Sequence, residues 1–195
     1  CIRDRSGTVT IYHNALPQPS AGVRTAKLFV NGGTTILGGS VSVSPGIIYL
    51  SNPIEMSSGA PNARVQTRVG SSSDNADAYL SGAVSKYSNN DLTLGRVTGT
   101  AFAGSIRFFS SVTDYSSGSI ITDSDTVYFE NGSSLTPNLL TVGGSSSVIF
   151  QSGSTLNIPA TNAISVNASA GDVEIYGTTN GGTSGIMQVS GTSNL

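Results

Sequence analysis

Val127-Tyr128-Phe129-Glu130-Asn131-Gly132-Ser133-Ser134-Leu135 lies over Val148-Ile149-Phe150-Gln151-Ser152-Gly153-Ser154-Thr155-Leu156 without a gap, at an offset of 148 − 127 = 21 residues. Val, Phe, Gly, Ser and Leu recur at equivalent places, and the remaining pairs are conservative. Each copy reads as a strand with two inward apolar residues, a glycine-containing corner that tolerates positive φ, and a further inward apolar residue. Leu28-Phe29-Val30-Asn31-Gly32-Gly33-Thr34-Thr35-Ile36 follows the same template far upstream, with Ile36 in the place of Leu135. About twenty residues would suffice for three short faces and their turns, which is the size of one rung of a β-helix. A strand, an Asn-Gly or Ser-Gly turn and a second strand also make a hairpin, so a β-sandwich or jelly roll stays open beside the β-solenoid.

Outward from these copies the same grammar continues. Thr8-Val9-Thr10-Ile11-Tyr12, Gly46-Ile47-Ile48-Tyr49-Leu50, Ser105-Ile106-Arg107-Phe108-Phe109 and Asp172-Val173-Glu174-Ile175-Tyr176 are short β-branched or aromatic runs bounded by turn residues. No apolar pattern of helical period survives over a useful length, so the fold class is all-β, with many short strands and essentially no helix. Four stretches differ in texture: residues 1–20, read as an extended N-terminal arm; 21–56, a β region with the solenoid-like phrase; 57–118, a loop-rich β insertion or lobe holding most of the arginines; and 119–195, solenoid-like repeats.

The composition narrows the function classes. Only 10% of the 195 residues are charged and the net charge is −2, so uncharged hydroxyls do the solvating and little long-range repulsion keeps copies apart. With 37% apolar residues the chain is expected to fold rather than stay disordered. Its densest basic group, Arg64, Arg68 and Lys86, is interrupted by Asp74 and Asp77, which argues against tracking a phosphate backbone. No run of apolar residues is long enough for a transmembrane helix, and a soluble mature chain is expected.

Chemistry-bearing residues are sparse. His13 is the one histidine, too little for a nucleophilic triad, and no phosphate loop or nucleophile elbow occurs among the glycines. Asp123 and Asp125 lie two apart and so would share a face of a strand, with Asp114 and Glu130 as neighbours, while Asp74 and Asp77 flank Asn75 in a loop. Those two acid pairs are the candidates for calcium, through hard oxygen ligands, and for sugar-cleaving carboxylates; the simpler reading is solvated turn residues. No other cofactor is expected, and the chain reads as a non-enzyme. Tyr12, Tyr49, Tyr79, Tyr87, Tyr115 and Tyr176 could stack on sugars, although tyrosines at strand ends more often pack a core. Cys1 is the lone cysteine, which excludes an internal disulfide; it is a candidate for anchoring, as in mature bacterial lipoproteins, or for an interchain link, unless its position is incidental.

The phrases Leu28-Phe29-Val30-Asn31-Gly32-Gly33-Thr34-Thr35-Ile36-Leu37-Gly38-Gly39-Ser40-Val41-Ser42-Val43 and Leu139-Leu140-Thr141-Val142-Gly143-Gly144-Ser145-Ser146-Ser147-Val148-Ile149-Phe150 resemble the repetitive shafts of tailed-phage fibres and the β-solenoid adhesins of bacteria. The resemblance covers about a third of the chain. It implies a structural role on a virion or cell surface, as a homo-oligomer, with attachment to a receptor at one end. The expectations are therefore an extracellular or virion subunit of a fibre, filament or particle surface that associates with copies of itself. The alternatives are an adhesin or receptor-binding module whose loops between Ser57 and Gly118 contact a surface glycan or protein, and, more remotely, a polysaccharide-degrading β-helix.

Overall fold

The computed structural model describes residues 9–12, 27–44, 46–67, 76–95, 104–143, 146–158, 163–166, 173–181 and 186–189. All regular structure among them is strand. β1 (Val9–Tyr12) is followed by β2 (Lys27–Val30), β3 (Thr35–Ile36) and β4 (Ser40–Ser44), then by β5 (Gly46–Leu50), β6 (Ile54–Met56) and β7 (Ala63–Thr67). Next come β8 (Ala76–Leu80), β9 (Val84–Lys86) and β10 (Leu92–Gly95), then β11 (Ser105–Phe108), β12 (Ser111–Asp114) and β13 (Ser119–Asp123). The series closes with β14 (Thr126–Phe129), β15 (Ser134–Thr136), β16 (Leu139–Gly143), β17 (Ser147–Phe150), β18 (Thr155–Ile158), β19 (Ala163–Val166), β20 (Val173–Ile175), β21 (Thr178–Gly181) and β22 (Ile186–Val189).

Every third strand pairs in parallel, which makes a β-solenoid of three sheets. Sheet A runs β1-β4-β7-β10-β13-β16-β19-β22, sheet B runs β2-β5-β8-β11-β14-β17-β20, and sheet C runs from β3 through β6, β9, β12, β15 and β18 to β21. Hairpins would have produced antiparallel neighbours, so parallel pairing throughout removes the sandwich and jelly-roll alternatives. The repeat read from the sequence is the structural register: Val127 pairs with Val148, and Leu135 with Leu156. The described part of residues 57–118 holds β7 to β12, each in one of these three sheets, and β1, from the first twenty residues, pairs with β4.

Parallel stacking places equivalent side chains above one another about 4.8 Å apart, so each inward position becomes a column. Sheet B buries Ile48, Ala78, Ile106, Val127, Val148 and Val173 in one column and Leu50, Leu80, Phe108, Phe129 and Phe150 in the next. The phenylalanines stack face to face, Phe108 on Phe129 at 5.2 Å and Phe129 on Phe150 at 4.7 Å. Sheet C adds Ile54, Val84, Val112, Leu135 and Leu156, and sheet A adds Ala63, Leu92, Ile120, Leu140 and Ile164. All of them join one continuous core.

The corners between sheets B and C explain the glycine and serine of the repeat. Gly132 and Gly153 have φ of 82° and 83°, in the left-handed region that side chains other than glycine's disfavour. The following serine closes the turn, with Ser133 Oγ donating to Glu130 O at 2.6 Å and Ser154 Oγ donating to Gln151 O at 2.7 Å. Both serines are buried, so their hydroxyls need these internal acceptors. At the Gly82 corner the stacking itself sets the residue, because an added Cβ would come 1.8 Å from Asn52 O in the rung beside it.

One expected placement is corrected. The repeat template puts Ile36 inside, but Thr35 pairs with Ile54 and Ile36 with Glu55, leaving Ile36 55% exposed while Leu37 enters the core. From Val30 to Thr35 is one residue fewer than from the equivalent Phe129 to Leu135. A one-residue difference reverses which side chains face inward. Phe129→Ala is expected to cost about 3–5 kcal/mol of stability by emptying a stacked aromatic site, whereas Ile36→Ser should stay within about 0.5 kcal/mol as an exposed substitution. Urea denaturation of the two variants measures both, and a large loss for Ile36→Ser would restore the inward placement.

Candidate functional site on the outer faces

The outward positions of sheet B bring together residues far apart in sequence. Phe29 pairs with Tyr49, Tyr49 with Tyr79, Tyr79 with Arg107, and Arg107 with Tyr128. Outward aromatics in register have no choice but to stack: Phe29 lies 4.6 Å from Tyr49 with the rings 2° from parallel, and Tyr49 lies 5.0 Å from Tyr79. Phe109, just past the end of β11, continues the row at 6.1 Å from Tyr79. Phe29 is 60% exposed and Phe109 42%, so the row is an apolar stripe on the surface rather than part of the core.

Beside the stripe the face turns ionic. The Arg107 guanidinium lies 4.0 Å above the Tyr128 ring, and its Nη1 pairs with Glu130 Oε1 at 2.6 Å. Arg107 Nε also donates to Ser105 Oγ at 3.3 Å, and Ser105 Oγ donates to Asp77 Oδ1 at 2.5 Å. Partial burial, then the negative charge of Asp77, raise the Tyr79 phenol above its ordinary value. At the far end of the face Tyr176 donates to Glu174 Oε2 at 2.7 Å, and that hydrogen bond, followed by the carboxylate's charge, raises its value too.

A second stack sits at the corner between sheets C and A, where Tyr87 and Tyr115 lie 5.0 Å apart and 11° from parallel. Among the tyrosines singled out from the sequence, Tyr49, Tyr79, Tyr87, Tyr115 and Tyr176 lie on the outside, contrary to the core packing that strand-end tyrosines more often show. Nothing in the sequence marks out Tyr128, whose contact with Arg107 depends on the register that places the two side by side. Nothing is described for the Tyr12 side chain. Within a stack each ring covers its neighbour's face. The stripe therefore offers ring edges and hydroxyls to a partner, and open faces only at its ends.

The acids expected to share a face do not. Ser124 has φ 59° and turns the chain between Asp123 and Asp125. Asp123 points outward, 3.5 Å from Arg64 Nη1, while Asp125 is buried and accepts from Thr67 N at 3.0 Å and from Thr67 Oγ1 at 2.9 Å. Asp77 lies on the outer face of sheet B, and Asp114 lies inside the solenoid. Asp74, His13 and Cys1 fall outside the described residues. Among the described residues no group of three or more His, Cys, Asp or Glu side chains is placed to hold a metal ion, and no helix is long and apolar enough to cross a membrane.

Comparison with known proteins returned no matching family model, no matching curated protein and no matching solved structure. The residues themselves carry the functional argument.

The raised Tyr79 value has a sign that can be tested. The folded chain holds the phenolic proton more tightly than the unfolded chain, so the associated stability is fully present below the ordinary value of about 10 and is lost as pH rises through the folded value. An NMR titration should place the Tyr79 midpoint above that of free tyrosine and move it down in Asp77→Asn. A Tyr79 midpoint at or below the free value would show that burial and Asp77 do not outweigh the opposing charge of Arg107.

Proposed function

We propose that the chain is a structural, non-enzymatic subunit of an extracellular or virion fibre, filament or particle surface, and that it associates with copies of itself. A β-solenoid is compatible with fibre-like or adhesin-like structural roles. The observation that carries the reading is the unbroken register of the three sheets, in which columns of stacked core residues hold a rod-shaped scaffold together along its axis.

Two features support self-association. A net charge of −2 gives little electrostatic repulsion between copies. The stripe of Phe29, Tyr49, Tyr79 and Phe109 is a surface whose burial against another copy would be favourable. The same stripe, flanked by Asp77, Arg107 and Glu130, favours the second reading, an adhesin-like module that contacts a surface glycan or protein. Its covered ring faces make edge contacts and hydroxyl hydrogen bonds the expected mode of binding, in place of sugars stacked along its length.

Light scattering on a dilution series, with electron microscopy of the same samples, separates the readings. Species larger than one chain that weaken in Tyr49→Ser/Tyr79→Ser are expected. A monomer at every concentration, retained on a glycan array only when the stripe is intact, would replace the first reading with the second.

A further inference from the structure

Inside the solenoid, one column of sheet C turns from apolar to ionic. Lys86 at the end of β9 and Asp114 at the end of β12 are register partners on adjacent rungs of sheet C, and both side chains point inward with 0% exposure. Met56 precedes Lys86 in the same column. Lys86 Nζ lies 3.2 Å from Asp114 Oδ1 and 3.2 Å from Oδ2, so the nitrogen faces the carboxyl carbon between them.

The hydrogen bonds around the pair are directed. Nζ donates to Ser88 O at 2.8 Å, to Ser116 Oγ at 2.6 Å and to Asp114 Oδ1, which uses all three ammonium protons. Ser116 Oγ in turn donates to Asp114 Oδ1 at 2.6 Å, and Ser116 N donates to the same oxygen at 2.9 Å. Oδ2 accepts no hydrogen bond among the described residues. The Ser116 hydroxyl thus bridges amine and carboxylate, and its partly exposed position links the pair to the surface.

We propose that Lys86 and Asp114 condense into an amide bond that joins adjacent rungs covalently. A proton passes from Nζ through Ser116 Oγ to Asp114 Oδ1, leaving a neutral amine against a neutral carboxylic acid. The nitrogen lone pair then bonds to Cγ, and Oδ1 departs as water with two of the three ammonium protons. The third stays on the new amide nitrogen, placed to donate to Ser88 O, and Oδ2 becomes the amide oxygen. No oxidant or further reactant is needed.

Two physical terms drive the step. Two opposite charges held away from water lose most of their hydration, and condensation replaces both with one neutral group. Fixing the amine against the carboxyl carbon also supplies an effective concentration on the order of 10⁵–10⁸ M, the range reached by well-oriented intramolecular partners. The product is a staple across sheet C, two residues along from the apolar Val84–Val112 pair that joins the same two rungs.

Mass spectrometry of the purified full chain under denaturing conditions tests the proposal. The expected mass is one water below that of the sequence, and digestion should yield a branched peptide joining residues 86 and 114. Lys86→Arg and Asp114→Ala are expected to show their full sequence masses, and Ser116→Ala to accumulate unlinked chain. The decisive readout is on the unaltered protein and does not require any variant to fold. Full sequence mass with Lys86 open to amine acylation after denaturation, or a water loss that maps elsewhere, overturns the proposal.

Discussion

In-register stacking of like side chains on like, one rung above the next, is the constraint from which the rest of this structure follows. Each rung is too short to enclose a core by itself, and its inward residues are buried only because the neighbouring rungs cover them. Phe108, Phe129 and Phe150 show the arrangement most clearly, since each ring supplies the packing surface for the next. The same constraint governs the corners: Ser133 and Ser154 repeat one hydrogen bond, and Gly82 leaves room for the backbone of Asn52.

Register has equal force on the outside. Residues that would be unrelated surface positions in an irregular fold become rows, and a row of aromatics becomes a stack. Phe29, Tyr49 and Tyr79 form one, Tyr87 and Tyr115 another, and Arg107 over Tyr128 continues the first in ionic form. A solenoid surface is thus built by repetition, and its chemistry changes only where the sequence of a rung changes. The transition from aromatic stripe to the Asp77, Arg107 and Glu130 group is such a change, and it lies on the face that the functional proposal depends on.

How much of this could be read from the sequence depended on the corners. Ser105 to Thr126 and Thr126 to Ser147 are equal steps of 21 residues, so the repeat between them was visible as identity at equivalent places. Ile47 to Asp77 and Asp77 to Ser105 are steps of 30 and 28, because those rungs have longer connections both from sheet C to sheet A and from sheet A to sheet B, and no fixed period survives there. Without that period nothing in the sequence relates Tyr49 to Tyr79. Interior chemistry is hidden for a different reason: Lys86, Asp114 and Thr67 occupy inward strand positions where alternation alone predicts an apolar residue. Strand alternation puts Asp123 and Asp125 on a common face, and nothing in the residue types announces the left-handed turn at Ser124 that separates them.

The parallel register is tested most directly by distances along one outward row. Spin labels on Thr93 paired in turn with labels on Ile121, Thr141 and Ser165 sample successive rungs of sheet A. Electron paramagnetic resonance should give separations that lengthen with each rung, following a backbone spacing of about 4.8 Å per step. Separations that fail to lengthen in that order, or that shorten between Thr141 and Ser165, would contradict the stacked solenoid.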